Sequence, residues 1–329
     1  MGSPFPTSIS KVGEGHIVVS PLPSGGNGLE TITYQYPLKL ISPTPSVHQK
    51  SVLVFLLSYG GGLVGGDHIN LDVDVRAAAL LSVVTQGHTK IFKSASPDIV
   101  TSQNLNVRIQ DDASLCLLPD PVQPFADSVY IQKQIFTVTP TSTLCFLDWV
   151  TQGRTARGEN WSFVSWKGCN EVWLAGHSPD AKPRLLVRDT VLLSSPDSVV
   201  LGRSLRDAMH QMAVFGTLIL RGPKVQRLAD FFTTEFAALP RLGARDFRTI
   251  EDQAKEDSQL SELERWRARR IRMEREQGIL WSAAQVRSCV IVKLGARTVE
   301  GGREWVGAML SKEGSVEEHF GEEALMCVK

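Results

Sequence analysis

Cysteine is scarce in this chain, and its placement excludes the usual disulfide and metal frameworks. The five cysteines among 329 residues are far apart, with no C-x-x-C pair: Cys116, Cys145, Cys169, Cys289 and Cys327. An odd number of dispersed thiols is typical of reduced, mostly buried cysteines in a cytoplasmic chain. A structural zinc site needs four grouped ligands, and the sequence offers no such group.

The sequence also lacks an excess of charge of either sign. It has 35 Lys and Arg against 35 Asp and Glu, which gives zero formal net charge. Nucleic-acid binders and polybasic membrane anchors usually need a basic surplus, so neither is indicated. No apolar run reaches about 18 residues, and the first residues lack a charged segment followed by an apolar one. We therefore expect neither a membrane span nor a secretory signal, and a cytoplasmic location.

Catalytic signatures are missing as well. The chain has no G-x-S-x-G motif of the kind that presents a nucleophilic serine. It has no H-E-x-x-H motif of a zinc protease either. Scattered cysteines and histidines do not by themselves identify a nucleophile and its base. The residues indicate no hydrolase class.

What the chain does have is a long series of short strand patterns. From about residue 16 to 222 the dominant hydrophobic period is two, as in I-N-L-D-V-D-V at 69–75. Segments 51–58 and 77–84 are apolar on both faces, as strands between two layers are. Few gaps are long enough for helices. The pattern favours a mainly β body, antiparallel or coiled, over β-α-β units.

Helical patterns begin only after Gly222. Apolar side chains recur at helical spacing in 223–238 and 299–310, which predicts two amphipathic helices in the C-terminal third. Between them, 251–276 contains eight acidic and seven basic residues. This balance favours a solvated helix with i,i+4 pairs or a mobile insertion, with a basic strip for an acidic partner as the alternative. The sequence does not decide whether the stretch is ordered.

A glycine-rich loop, Y-G-G-G-L-V-G-G-D at 59–67, satisfies G-x-G-x-x-G. A dinucleotide-binding loop would open a helix whose N-terminus holds the pyrophosphate, whereas a period-two strand follows here. A dinucleotide-binding enzyme is therefore a weak alternative. The favoured interpretation is a strand–turn–strand element in which glycines provide positive φ or close approach of the backbone.

Several blocks in a fixed order resemble the UreD, or UreH, family of urease accessory proteins. Besides G-G-G-L-V-G-G-D-H-I at 60–69, they are T-Q-G-H-T-K-I-F at 85–92, L-P-D-P-V-Q-P-F at 118–125, L-D-W-V-T-Q-G-R at 147–154 and G-E-N-W at 158–161. The match spans at least 51–166 and weakens towards the C-terminus. C-V-I-V-K at 289–293 and G-E-E-A-L-M-C at 321–327 are similar to fungal members, while 251–276 is an elaboration that bacterial members lack.

The resemblance implies one domain over 1–329. Its β-helix-like body would cover about 16–222, and a helix-containing region with a charged insertion at about 245–278 would cover 223–329. It further implies a non-catalytic scaffold that works with UreF, and through UreF with the GTPase UreG, on apo-urease. The scaffold would assist nickel delivery, with transient Ni²⁺ in an internal route and no tightly bound cofactor. A route needs weak, exchangeable ligands, because a closed four-ligand site would trap the ion.

Isolated carboxylates and imidazoles are the candidate ligands for such a route. The candidates are Asp67, His68, His88, Asp120, Asp127, Asp148 and Glu159. Each has a structural alternative: Asp67 as a turn cap, His88 as an incidental turn residue, and Asp120 and Asp127 as loop-ordering side chains. Asp148 interrupts an apolar strand, so it either faces solvent or is buried with a partner such as Arg154.

A second set of residues is expected to hold the local structure of these loops. The set is Gly60, Gly61, Gly62, Gly65, Gly66, Lys90, Arg154 and Gly158. Lys90 is expected to pair with a carboxylate, and Arg154 to form an ion cluster with Glu159. The apolar tail A-L-M-C-V at 324–328 and the helical stripes are expected to pack against UreF. An all-β ligand- or protein-binding module without a metal role is the remaining alternative.

Overall fold

Two β-sheets make up most of the structure, a computed structural model that describes residues 11–23, 25–46, 49–176, 181–195, 202–239 and 261–329. The strands up to residue 91 are β1 (Glu14–Pro21), β2 (Asn27–Tyr34), β3 (Leu38–Ile41), β4 (Val52–Ser58), β5 (Gly62–Leu63), β6 (His68–Val75), β7 (Leu80–Val84) and β8 (Thr89–Ile91). The remaining strands are β9 (Thr101–Ile109), β10 (Ser114–Leu117), β11 (Val122–Pro124), β12 (Val129–Val138), β13 (Thr143–Thr151), β14 (Ser165–Leu174), β15 (Arg184–Ser194), β16 (Val214–Arg221), β17 (Leu280–Val286) and β18 (Cys289–Ala296). The helices are α1 (Leu205–Ala208), α2 (Gln226–Ala237), α3 (Glu262–Glu276), α4 (Val299–Glu313) and α5 (Ser315–Phe320).

The chain winds as a coil between the two sheets. Strands β6, β9, β12 and β14 pair in parallel within a seven-stranded sheet, and β4, β7, β10 and β13 pair in parallel within an eleven-stranded sheet. The short strands β5, β8 and β11 pair in parallel along a third side. Antiparallel strands extend both sheets at their ends. The mainly β, coiled fold expected above is confirmed.

Parallel pairing in register stacks equivalent residues of successive turns. One row runs through Val73, Val107, Phe136 and Val172 in the seven-stranded sheet, and all four side chains are buried. Each strand buries alternate residues between the sheets, as a period of two requires. The main core therefore lies inside the coil.

A second core lies on the outer face of the eleven-stranded sheet, beneath α2 and α4. These are the two helices that the sequence predicts, and a turn of 3-10 helix at Pro223–Val225 leads into α2. Strand β13 is buried along its whole length because it has a core on either side. Among the described residues, no helix is long and apolar enough to cross a membrane.

The charged stretch contributes an ordered helix, α3, that packs against α2 and is not a solvated strip. Its N-cap Ser261 forms a capping box with Glu264. The buried Glu235 of α2 accepts from Arg267 Nη2 at 2.6 Å and from the buried Arg270 at 3.3 Å. Arg270 also pairs with Glu274 at 2.6 Å. The arginines thus meet carboxylates of their own chain; residues 251–260 lie outside the described part.

The apolar tail folds into the second core of its own chain, which corrects the expectation that it packs against a partner. Ala324, Leu325, Cys327 and Val328 are buried, and only Met326 is exposed, to 40%. The tail is apolar because it completes this core.

Removing the carboxylate of Glu235, which is 2% exposed, tests the α2–α3 ion cluster. Glu235→Gln leaves the Arg270 charge without one of its two partners in a buried site. We expect the free energy of unfolding to fall by about 3–5 kcal/mol. Urea denaturation measures it, and Asp230→Asn on the exposed face of α2 serves as the control, with a change of about 0.5 kcal/mol or less. Equal effects of the two changes would contradict the role of the cluster.

Shortening one buried tail side chain tests whether the tail belongs to the core. Leu325→Ala should lower the free energy of unfolding by about 2–5 kcal/mol, because it opens a cavity. Met326→Ala, one residue further along, should cost about 0.5 kcal/mol or less. Thermal or urea unfolding of the two variants gives the comparison. If the tail served only as a docking segment, neither Leu325→Ala nor Met326→Ala should change the free energy of unfolding much.

Candidate functional site

The stacked rows of the coil change from apolar to polar near one end. Gln103 of β9 pairs in register with Gln132 of β12, and Gln134 pairs with Asn170 of β14. Gln132 and Gln134 share the inward phase of the buried Phe136. We call Gln103, Gln132, Gln134, Asp148 and Asn170 the inner polar ladder. It lies between the two sheets, where most positions are apolar.

Asp148 is the charged member of the ladder, and it is 7% exposed. Its Oδ1 accepts from Gln132 Nε2 at 2.9 Å and its Oδ2 from Asn170 Nδ2 at 2.7 Å. Burial raises the pKa of Asp148, and these amide donors only partly oppose the rise. The expectation that Arg154 pairs with Asp148 is wrong, because the neutral amides of Gln132 and Asn170 bond to the two oxygens of this carboxyl group.

Polar groups continue from Asp148 towards the surface. Asp148 pairs in register with Thr217, and Asn170 with Asp189. Lys293 Nζ donates to Thr217 Oγ1 at 2.8 Å and to the two oxygens of Asp189 at 2.5 and 2.6 Å. Since the side chain of Lys293 is partly exposed, the polar row reaches the outside of the sheets.

A cavity of about 500 Å³ opens at another edge of the coil. We call its polar lining residues Thr85, His88, Asp120, Arg303 and Cys327 the mouth. Asp120 is buried and accepts from Thr85 Oγ1 at 3.0 Å, the Gly87 amide at 2.8 Å and Arg303 Nη2 at 2.8 Å. The residues of the mouth are distant in sequence. They meet because α4 brings Arg303, and the tail brings Cys327, to the loop that follows β7.

Burial favours the neutral forms of the His88 imidazole and the Cys327 thiol of the mouth. Burial lowers the pKa of His88, and the nearby Asp120 charge only partly opposes this. Burial also raises the pKa of Cys327 to about 11. At neutral pH the mouth therefore offers a neutral imidazole and a thiol, beside the Asp120 carboxyl group to which Arg303 Nη2 donates at 2.8 Å.

A small internal cavity of about 30 Å³ adjoins both sites. It shares Thr85 and Asp120 with the mouth, and Gln132 and Asp148 line it from the ladder. A space of this size can hold a water molecule, which needs about 10–15 Å³. The internal cavity therefore lies between the mouth and the buried carboxyl group of Asp148 and has polar residues of both in its wall.

Four of the predicted site residues, Asp67, His68, Asp127 and Glu159, line neither cavity. Asp67 Oδ2 accepts from the Val64 amide at 2.8 Å and so caps the turn. His68 is exposed, and its Nδ1 meets Ser102 Oγ at 2.8 Å. Asp127 is exposed in a turn with φ of 63°. The structure therefore places His88 and Asp120 at the mouth and Asp120 and Asp148 at the internal cavity, and none of the other four predicted residues at either.

Arg154 and Glu159 form the expected ion pair, separate from Asp148. Glu159 is buried and accepts from the Arg154 amide at 2.8 Å and from Arg154 Nε at 2.9 Å. Burial tends to raise the pKa of Glu159, but the bonds from Arg154 outweigh it and the pKa is lowered. The guanidinium stacks 3.7 Å from the ring centre of Phe125. The pair closes the turn that ends at Gly158, which has φ of 73°.

The glycine loop packs closely against β8. Gly60, Gly61 and Gly66 have positive φ, as the turn interpretation requires. A Cβ on Gly62 would lie 2.7 Å from the Lys90 carbonyl oxygen, and one on Gly65 would lie 3.2 Å from the backbone of Lys93. The loop leads into β5 and β6, so it does not open a dinucleotide-binding helix. Lys90 forms no ion pair within the described residues, contrary to expectation.

Sequence reasoning missed the amides that surround Asp148. Gln103, Gln132, Gln134 and Asn170 carry no chemistry that a motif search would select. The signal was available in Y-I-Q-K-Q-I-F at 130–136, where Tyr, Gln, Gln and Phe share one strand face. Arg303 was missed because it approaches Asp120 from 183 residues away.

Within the described ranges, no three His, Cys, Asp or Glu side chains are grouped so that they could hold a metal ion. The fold and the site define the class as a mainly β, coiled protein with a buried polar site between its two sheets. Comparisons with known proteins give the family. The profile described as UreD urease accessory protein matches residues 12–326. The chain belongs to the UreD family of urease accessory proteins.

Relatives from several kingdoms show the same likeness. The chain is 32% identical over 288 residues to an "Uncharacterized urease accessory protein ureD-like" of Schizosaccharomyces pombe, covering 87% of this chain and 89% of that protein. It is 36% identical over 198 residues to "Urease accessory protein D" of Oryza sativa subsp. indica, covering 60% and 61%. It is 27% identical over 302 residues to "Urease accessory protein UreD" of Anaeromyxobacter sp., covering 92% and 86%.

The raised pKa of Asp148 predicts a pH dependence of stability. Because the unfolded chain loses this proton at a lower pH than the folded chain, the contribution of Asp148 to wild-type stability falls as the pH rises above the usual Asp pKa near 3.8. Asp148→Asn removes this titration. The free energy of unfolding of the variant minus that of wild type should rise between pH 4 and pH 7.

Urea denaturation across this pH range measures the difference. Other titrating groups are common to both proteins and cancel. A difference that stays constant or falls with pH would show that burial does not favour the neutral form of Asp148.

Proposed function

We propose that this protein is a non-catalytic scaffold of urease maturation that surrounds a passage for Ni²⁺. It acts in the cytoplasm with UreF and, through UreF, with UreG on apo-urease. Nickel is its cargo and moves between the mouth and the inner polar ladder. Membership of a urease accessory family supports the maturation role. The named partners and the passage for Ni²⁺ go beyond what this membership supports and are proposed in addition.

The observation that carries the passage is that Asp120, a residue of the mouth, and Asp148, a residue of the ladder, line the same internal cavity. Most positions between two sheets are filled by apolar side chains, and a buried carboxyl group is costly to keep there. Here two carboxyl groups line one internal cavity. A structural core has no need of this arrangement, whereas a moving cation needs oxygen ligands along its way.

The polar groups along the proposed passage suit weak, exchangeable binding of Ni²⁺. Carboxylate oxygen, imidazole nitrogen and amide oxygen are ligands that divalent nickel accepts. The two carboxyl groups already have hydrogen-bond partners within the chain, Thr85 and Arg303 for Asp120 and Gln132 and Asn170 for Asp148. A passing ion competes with these bonds, so it is bound weakly at each step.

Neutralising one carboxyl group on the path tests the proposal. Asp148→Asn keeps the shape of the side chain and removes its charge. Co-expression of the variant with urease, UreF and UreG should give urease with nickel content and activity lower by about tenfold, as when a group supporting metal ligands is lost. Asp127→Asn, an exposed carboxyl group off the path, should activate urease as wild type does.

Co-purification tests the scaffold role separately from the passage. The Asp148→Asn variant should still bring down UreF and urease in wild-type amounts, because its change is buried. Normal activation by this variant would contradict the internal passage. Absence of any complex with UreF or urease for the wild-type chain would contradict the scaffold role and favour a β binding module without a metal role.

A further inference from the structure

A second large cavity, of about 560 Å³, shares no lining residue with the mouth or the internal cavity. It lies where β16 ends and α2 begins, beside the turn between β17 and β18. The lining is formed by Arg184, Leu220, Arg221, Gln226, Ala229, Gln285, Arg287, Ser288, Cys289 and Val290. Three of these side chains are arginines and none is acidic. In a chain with zero net charge, this is a local concentration of positive charge.

Arg221 is the buried member of the three, with 6% of its surface exposed. Its Nη1 donates to the Ser142 carbonyl oxygen at 3.1 Å, and its Nε is buried without a hydrogen-bond partner. Within the described part of the chain, no carboxylate lies within 4 Å of its guanidinium. Burial raises the pKa of the adjacent Cys289 thiol to about 11, so this thiol supplies no counter-charge.

The other two arginines add positive charge, and no carboxylate of the described residues pairs with either of them. Arg287 donates to the carbonyl oxygens of Leu185 and Leu186, which fixes it at the wall of the cavity. Arg184 is exposed at the start of β15. A buried guanidinium is normally paired, since an isolated buried charge is costly. The described residues do not provide the anion for this site.

We propose that this cavity binds a small molecule that carries an oxyanion group, a phosphate or a carboxylate, with Arg221 at its inner wall. The planar fork of arginine matches such groups through paired N–H donors. Gln226, Gln285 and Ser288 supply further polar atoms, and Leu220 and Val290 give an apolar wall. The volume falls in the range of about 300–1,000 Å³ usual for small-molecule sites, so the ligand is larger than an isolated ion.

Thermal unfolding of the full chain in added anions tests the proposal. Phenyl phosphate, inorganic phosphate and benzoate are each titrated against sodium chloride at matched ionic strength. At least one oxyanion should raise Tm in a saturable way beyond chloride, because a ligand of the folded state stabilises it by mass action. The phosphate and benzoate arms decide which oxyanion the site prefers.

Variants show whether the effect belongs to this cavity. Arg221→Met should weaken the apparent affinity by about tenfold or more, and Arg184→Gln by about threefold, as expected for loss of charge-assisted contacts. Arg157→Gln, an exposed arginine elsewhere, should leave it unchanged. If Arg221→Met does not fold, Arg184→Gln and the ligand titration remain decisive.

Two results would overturn the site. One is the absence of any saturable rise in Tm beyond chloride. The other is an anion effect of undiminished strength in the arginine variants, which would show that Arg221 has only a structural role. The experiment needs neither nickel nor urease, so its outcome is independent of the proposed passage.

Discussion

In-register parallel stacking is the constraint on which the rest of this structure depends. Each turn of the coil places its inward residues directly on those of the previous turn, so each inward side chain has its neighbours set by the register of the strands beside it. The row through Val73, Val107 and Phe136 is apolar and forms the core. Near one end the inward residues are polar, and Gln132 and Asn170 supply the donors that Asp148 requires. A buried carboxyl group is possible because its neighbours are set by the same stacking.

Local pattern was sufficient for the elements of the fold and for the family. A period of two marked the strands, helical spacing marked α2 and α4, and the order of five motif blocks identified the relatives. These features depend on residues that are close in sequence. The same is true of the Arg154–Glu159 pair, which joins residues five positions apart.

The sites could be predicted only in part, because they depend on residues that are far apart in sequence. Asp120 meets Thr85, Arg303 and Cys327 only after the coil has closed and the tail has folded back. The phase of β12 decides that Gln132 faces inward, and no residue of the motif blocks reveals it. Conversely, Asp67 lies in the most conspicuous motif and yet satisfies its own turn. Here the glycine motif reflects the backbone geometry of a turn, whereas the polar site is built by amide side chains that belong to no motif.

The same stacking restricts where the chain can change in length. In β12 the inward residues Gln132 and Gln134 alternate with Ile131, Lys133 and Ile135. One residue inserted or deleted within the strand would exchange the two faces beyond that point and turn Lys133 inward. Neighbouring strands are paired on both sides, so the error would pass to both. Differences in length between relatives should therefore fall in the turns, and the strands that enclose the polar row should keep their length even where their residues differ.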